Sequence, residues 1–278
     1  MAIYLAYSLD YAGLCNQLYL ISNHILEAIN AGVDIYIPTM NVDIFYNKRV
    51  PTNEILDIHK TNENINKFLK KNVNILKTKI PDGLNWYVPK LLVYPVMSVE
   101  ILRCLEFHES IKLNAIIPCK YNTIHFRLDI DSIIHHVYPP DMYDYFMGLS
   151  QIDKISFSNR VAKSPEVVEY CNRLIGNYFE YIQLIGFELP WYICSPLGKN
   201  QVHDSVLWTL DKLKDFITNG NGTIIKSKEC YQERELNALV DLLILRNADT
   251  IIGFEGSSFS EGYAYKLRSP RNIYYFVK

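Results

Sequence analysis

Thr250-Ile251-Ile252-Gly253-Phe254-Glu255-Gly256-Ser257-Ser258-Phe259-Ser260 is the stretch on which the fold turns. An apolar run rich in β-branched residues, then a glycine and a cluster of serines, spells a buried strand that ends in a tight turn. Immediately upstream, Glu233 to Arg246 reads as a helix. A helix leading into a strand with a Gly-Ser loop at its carboxyl end is the building unit of a parallel α/β sheet, and open sheets bind ligands at such loops. If Ser257 opens a helix, backbone N–H groups, two hydroxyls and the helix dipole converge on an anion, and a diphosphate would fit. Taken alone, Ser257 is better explained as an N-cap, and its placement after the apolar strand Thr250 to Phe254 tips the reading towards an anion site.

The same alternation continues outward. A strand is predicted at Thr123 to Leu128, and a long helix at Pro165 to Ile185, announced by Ser164 as N-cap, Pro165 at the first helical position and Glu166 in the first turn. Strands follow at Trp191 to Ser195 and Thr223 to Ser227, separated by a helix over Ser205 to Ile217. A last helix and the strand Asn272 to Val277 close the chain. At the other end, a strand over Ala2 to Ser8, a helix over Leu14 to Ala31 stopped by Gly32, and a strand over Asp34 to Pro38 make a β-loop-α-β unit. Asn41 to Ile80 is rich in Asn and Lys with weak periodicity, and Ser98 to Ile111 reads as one helix. The fold class is therefore α/β with doubly wound parallel sheets. The length of 278 residues predicts two domains, 1–115 and 116–278, the boundary falling near Pro118.

A hydrophobic content of 49%, 21% charged residues and a net charge of −2 describe a globular chain without the basic field that a nucleic-acid partner requires. Local basic pockets remain open, and Arg127 with Arg268 and Arg271 would make one for a diphosphate. The amino terminus lacks the pattern of a signal peptide and no apolar run is long enough to span a bilayer, so a cytoplasmic protein without a transmembrane segment is expected. Six cysteines, with no C-x-x-C pair and no zinc spacing, read as reduced and mostly buried thiols.

Two further motifs stand at predicted strand ends. In Gly13-Leu14-Cys15-Asn16-Gln17, Gly13 permits close backbone approach, and the amides of Asn16 and Gln17 suit sugar hydroxyls or phosphates. In His125-Phe126-Arg127, Arg127 offers a planar, permanently charged fork to a diphosphate and can stabilise a departing leaving group. In isolation Arg127 would pair with Asp129 or Asp131, and His125 would be either a base or ribose contact or a buried structural residue. Asp129-Ile130-Asp131 has the D-x-D form that many metal-dependent glycosyltransferases use. The sequence identifies no further oxygen ligands, so no metal is expected there.

Gly13 to Leu18 with Asp34 to Pro38, His125 to Arg127, and Glu235 to Ser260 resemble the three motifs of the GDP-fucose protein O-fucosyltransferase superfamily. The resemblance implies a GT-B architecture, two Rossmann-like domains facing a central cleft. It further implies a donor held mainly by the second domain, inversion at the anomeric carbon, and no essential metal or other cofactor. It places donor binding on Gly13, Asn16, Gln17, His125, Arg127, Ser257, Ser258 and Phe259, and guanine recognition on a carboxylate near Asp241, for which Asp249 competes. An acceptor hydroxyl must lose a proton as it attacks. Asp10 is the first candidate base and Glu255 the second, while Arg127 assists the leaving group. The implied activity is an inverting glycosyltransferase moving fucose to a hydroxyl of a glycan or glycoprotein. Leu14-Cys15, where relatives often carry arginine, and the absence of secretory targeting leave another donor such as UDP-xylose open. A non-catalytic nucleotide- or carbohydrate-binding module is the reading from a different class. The Tyr-rich segment Tyr138 to Tyr145 is a candidate sugar-stacking surface, with packing as the alternative.

Overall fold

A computed structural model describes residues 3–5, 13–43, 48–70, 74–77, 86–87, 99–196, 204–228, 230–267 and 272–278. Asp10, Arg268 and Arg271 lie outside the described residues. The chain forms two units: Met1–Ile116 with Lys228–Ile244, and Ile117–Ser227 with Leu245–Lys278. Residues Lys228–Ile244, which follow the expected 115/116 boundary, pack in the first unit. There Lys48 pairs with Glu233, Asn114 Nδ2 donates to Tyr231 Oη (3.1 Å), and Lys228 Nζ donates to the Ile116 carbonyl (2.6 Å).

The first unit carries a parallel sheet of β1 (Ile3–Leu5), β2 (Asp34–Tyr36), β5 (Ile75–Leu76) and β6 (Trp86–Tyr87), in the order β5-β2-β1-β6. An antiparallel pair, β3 (Thr39–Asp43) and β4 (Lys48–Pro51), stands apart from it. Helix α1 (Leu14–Ala31) buries Leu14, Leu18, Ile21, Ile25 and Ala28, a stripe at i, i+4, i+7, i+11 and i+14. It ends where Gly32 turns left-handed (φ 65°) and Val33 N–H reaches back to the Ala28 carbonyl (3.1 Å). Helix α2 (Ile58–Leu69) is capped by Asp57, whose side chain accepts from Lys60 N. The single helix expected over 98–111 is instead two, α3 (Val99–Cys104) and α4 (Glu109–Asn114). The backbone between them bonds elsewhere: Glu106 O accepts from Asp57 N (2.8 Å), His108 N donates to Ile55 O (3.0 Å), and Glu106 N donates to Thr61 Oγ1 (3.0 Å). Those bonds replace the i to i−4 ladder that a continuous helix would need.

The second unit is built on a five-stranded parallel sheet of β7 (Asn122–His125), β8 (Trp191–Cys194), β9 (Ile224–Ile225), β10 (Thr250–Phe254) and β11 (Ile273–Val277), in the order β11-β10-β7-β8-β9. Three helices absent from the sequence reading follow β7: α5 (Ile130–Val137), α6 (Pro140–Gly148) and α7 (Gln151–Val161). Helix α8 (Pro165–Ile185) starts as expected, with Ser164 Oγ accepting from Val167 N (3.3 Å). It buries Val167, Cys171, Leu174, Ile175, Tyr178 and Ile182 against Ile124, Phe126, Ile252 and Phe254. Each such large side chain gains about 1.5–3 kcal/mol over exposure, before conformational entropy is subtracted. Helix α9 (Leu207–Asn219) supplies Leu210, Leu213 and Ile217 to the same core. Helix α10 (Arg234–Asn247) precedes β10, and a π-helix over Ser258–Tyr265 follows it.

All six cysteines are free thiols. Cys15, Cys104, Cys171 and Cys194 are buried, whereas Cys119 and Cys230 are exposed. Among the described residues, no helix is long and apolar enough to cross a membrane.

Candidate functional site

From β7 the second unit's chain runs to β8 and β9 on one side, then returns to β10 and β11 on the other. The strand order therefore reverses between β7 and β10, and the carboxyl ends of these strands frame the crevice where doubly wound sheets bind ligands. Two of the three motifs emerge from those ends, and the structure joins them directly.

His125, the last residue of β7, is 5% exposed. Its Nδ1 lies 3.0 Å from Ser260 Oγ, and its ring stacks on Phe259 with centroids 4.9 Å apart. Ser260 Oγ also accepts from Phe254 N (2.9 Å) and donates to Phe254 O (3.1 Å). With the hydroxyl proton on Phe254 O, Nδ1 of His125 is the donor and Nε2 keeps its lone pair. Tyr178 Oη donates to the His125 carbonyl (2.8 Å) and fixes the strand end. Burial, aided by the charge of Arg127, lowers the imidazole pKa from 6.5 to about 3. A depressed pKa makes this histidine stabilising at pH values above 6.5, and the contribution is lost as the pH falls toward 3. We expect the His125 Cε1–H proton resonance to stay flat between about pH 5 and 8. A sigmoid centred near the ordinary histidine value would contradict this environment.

Arg127 is one-third exposed. Its Nη1 lies 3.3 Å from Asp129 Oδ1, and its Nη2 3.7 Å from Asp131 Oδ2. The D-x-D carboxylates thus flank the guanidinium. Burial pushes the Asp129 carboxyl well above the usual carboxylate range, against the pull of Arg127 and with the Asp131 carboxylate adding to the rise. Among the described residues, no group of three or more His, Cys, Asp or Glu is arranged to hold a metal ion.

The loop after β10 differs from the expected array of unpaired N–H groups. Gly256 takes a left-handed φ of 76°, which glycine adopts without steric cost, and its N–H donates to Glu261 Oε2 (2.6 Å). Ser257 N–H donates to the Phe254 carbonyl (3.2 Å), and Ser257 Oγ accepts from Phe259 N (3.2 Å) as the π-helix N-cap. Part of the donor set is therefore occupied by the protein's own groups, and an incoming anion competes with Glu261. Ser257, Ser258 and Phe259 are all partly exposed. Glu255 is exposed, with its carboxylate 3.4 Å from Lys278 Nζ. Asp249, exposed and one residue before β10, sits at the opposite end of that strand from Ser257.

The first motif lies in the other unit. Gly13 has φ −58° and ψ 162°, a conformation open to any residue, and caps α1. Leu14 N–H donates to Glu235 Oε2 (2.8 Å), and Glu235 is 4% exposed. The start of this helix, a natural place for an anion, already holds a carboxylate. Gln17 is buried, its Oε1 accepting from Asn41 N (2.8 Å) and its Nε2 donating to Asn41 O (2.9 Å). Its amide tethers α1 to β3, while Asn16 is exposed. Asp241 is buried on α10, within the first unit.

Sequence reasoning missed Ser260, Glu235 and Glu261 as groups that shape these loops. Glu261 carried only a weak local signal, an acidic residue in the first turn of the helix capped by Ser257. Glu235 carried no local signal, since it lies 221 residues from the amide it binds.

No protein-family model and no curated protein matches the sequence. Among solved structures the chain is similar to POFUT1 in complex with GDP-fucose, with 10% identity and a TM-score of 0.58 over 99% of this chain and 97% of that one. It is also similar to the fucosyltransferase NodZ from Bradyrhizobium, with 11% identity and a TM-score of 0.43 over 98% and 96% of the two chains. NodZ α-1,6-fucosyltransferase soaked with GDP-fucose gives 11% identity and a TM-score of 0.37 over 96% and 92%. The first likeness is one of fold, an α/β architecture of the GT-B type.

Proposed function

We propose that this chain is an inverting glycosyltransferase that takes a nucleoside-diphosphate sugar, GDP-fucose by resemblance, and transfers the sugar to a hydroxyl of a glycan or protein. The observation that carries the reading is the junction of two motifs at the sheet's switch point. There His125 is bonded to Ser260 and stacked on Phe259, beside the guanidinium of Arg127. In this reading the Ser257–Phe259 loop and Arg127 hold the diphosphate, and Arg127 meets the charge that grows on the leaving group. His125 acts through the loop it supports and is a positioning residue. The first-unit loop, with Gly13 and exposed Asn16, serves the sugar or acceptor, and no metal is required.

Proton removal from the acceptor is assigned to a carboxylate, with Asp10 the first candidate and Glu255 the second. Calorimetric titration with GDP and with UDP tests the donor, the expected result being GDP binding at least about tenfold tighter, or 1.4 kcal/mol. Tight UDP binding with none for GDP would remove fucose from the proposal. Transfer that EDTA abolishes and manganese restores would instead favour a cation at Asp129 and Asp131. Nucleotide binding without transfer or donor hydrolysis would leave a binding module.

A further inference from the structure

Helices α6 and α7 hold a cluster of apolar side chains in water, and the nucleotide-sugar reading uses none of it. Four of the nine large apolar side chains that stand exposed among the described residues fall within the eleven positions 145–155: Tyr145 is 59% exposed, Met147 49%, Ile152 80% and Ile155 43%. Scattered singly, such residues need no explanation; gathered, they mark a contact surface. The two helices are joined, because the rings of Tyr145 and Phe146 pack on Phe157 of α7 with centroids 5.9 and 5.8 Å apart. Ile152 and Ile155, three residues apart, share the outer face of α7. The other tyrosines of the Tyr138 to Tyr145 segment brace the helices: Tyr138 Oη lies 2.9 Å from Ser164 Oγ, and Tyr143 meets the His135 ring edge-on at 5.0 Å.

Charge is divided between the two helices. Helix α6 carries Asp141 and Asp144 and no Lys or Arg, and both acids are exposed on the face of Tyr145, at i, i+3 and i+4. Helix α7 carries Lys154 and Arg160 and is followed by exposed Lys163, while its one acid, Asp153, accepts from Ser150 Oγ at the N-cap (2.5 Å). Lys154 Nζ stands over the Phe146 ring and the Arg160 guanidinium over the Phe157 ring, each 5.5 Å from the centroid, so the cations border the apolar cluster. An anionic bilayer would meet the acids of α6, whereas helices that lie on lipid carry Lys and Arg on their polar face. A second copy turned about a two-fold axis meets the opposite sign twice. In such a contact residue i touches j and j touches i, so the acidic α6 of each copy faces the basic α7 of the other.

We propose that α6 and α7 form the interface of a two-fold symmetric homodimer, in which Tyr145, Met147, Ile152 and Ile155 of the two copies pack together and Asp141 and Asp144 of each face Arg160 and Lys163 of the other. Such a dimer needs nothing of the nucleotide-sugar reading. Helices of nine and eleven residues are about 14 and 17 Å long, so the face they share lies at the small end of specific interfaces. The dimer is accordingly weak and concentration-dependent, in the micromolar range.

The test is sedimentation equilibrium of the full chain from sub-micromolar to hundred-micromolar concentration. The wild type should pass from monomer to dimer across that range. Ile152→Asp, at a position exposed enough to leave thermal unfolding unchanged, should weaken the dimer by about tenfold or more. Asp144→Lys and Arg160→Glu, each alone, set like charges against each other at two symmetric places and should weaken it by about fivefold or more. An equimolar mixture of Asp144→Lys and Arg160→Glu chains restores both pairings and should dimerise as the wild type does, which also shows that the two variants are folded. A wild type that stays monomeric throughout would overturn the proposal, as would a dimer indifferent to Ile152→Asp. A dimer sensitive to Ile152→Asp but not to either charge reversal, or reversals that the mixture fails to rescue, would refute the two-fold pairing of α6 with α7. Flotation with vesicles of phosphatidylcholine and phosphatidylserine tests the other occupant. A monomer that floats with them, and ceases to in Ile152→Asp, would assign the patch to a lipid surface instead.

Discussion

Arg127→Ala is expected to lower GDP affinity by about a hundredfold or more and to reduce transfer further still. A guanidinium reaching a diphosphate makes two charge-assisted hydrogen bonds, each worth about 1.5–3 kcal/mol, and 1.4 kcal/mol is a factor of ten. Charge that develops on the departing phosphate adds a contribution felt only in turnover, on the order of 10²–10³ where a single donor is removed. Arg127→Lys keeps the charge but not the planar fork and should fall between wild type and alanine. Unchanged affinity and turnover in Arg127→Ala would refute the assignment.

The same substitution touches stability, because Arg127 opposes the raised pKa of buried Asp129. An acid whose folded pKa lies above its unfolded value of 3.8 stabilises the fold fully below 3.8, and this contribution is lost as the pH rises through the folded value. Removing Arg127 raises the folded pKa further, so Arg127→Ala should match wild-type stability near pH 3 and fall behind as the pH rises. Solvent screening of a one-third-exposed guanidinium keeps the deficit small, on the order of 1 kcal/mol at neutral pH. Adding Asp129→Asn should recover that stability without recovering GDP affinity. Urea denaturation beside GDP titration separates the two roles. A double variant that regains GDP binding would show that Arg127 acts only by balancing Asp129.

Helices α1 and α8 were legible to the residue because their ends are written locally: Gly32 with the apolar stripe of α1, and Ser164-Pro165 at the start of α8. Local signals existed for α6 and α7 as well. Pro140 occupies a first-turn position, and Ser150 accepts from Asp153 N (3.2 Å). Exposed Met147, Ile152 and Ile155 blur the apolar phase there, so no periodic face stands out. Phase also separates the two amides of the first motif. Gln17 falls with Leu14, Leu18 and Ile21 on the inward stripe, and Asn16 falls off it, a distinction the bare motif Asn-Gln conceals. Pairings distant in sequence were not legible. The clasp of Gln17 on Asn41, the support of His125 by Ser260 and the capping of α1 by Glu235 arise from tertiary placement, and no local pattern encodes them.

Of these, the capping of α1 by Glu235 should have the largest effect on stability. Glu235→Ala is expected to cost about 3 kcal/mol, read as a lower urea midpoint at unchanged slope. The Leu14 N–H is one of the first-turn donors that a helix cannot satisfy internally, and it is buried. Losing its carboxylate partner incurs the desolvation cost of that donor. It also removes the favourable contact of a negative charge with the helix start, about 0.3–1 kcal/mol. Glu235→Gln separates these parts: the amide oxygen still accepts from Leu14 N, but the charge is gone, so about 1 kcal/mol should be lost. Since Arg234 Nε lies 3.8 Å from Glu235 Oε1, Arg234→Ala serves as the control for that ion pair and should change little. If Glu235→Gln proved as damaging as alanine, the carboxylate would matter through its charge and not through the Leu14 bond. An unaltered midpoint in Glu235→Ala would mean that α1 holds its place through the apolar stripe and the Gln17 clasp alone.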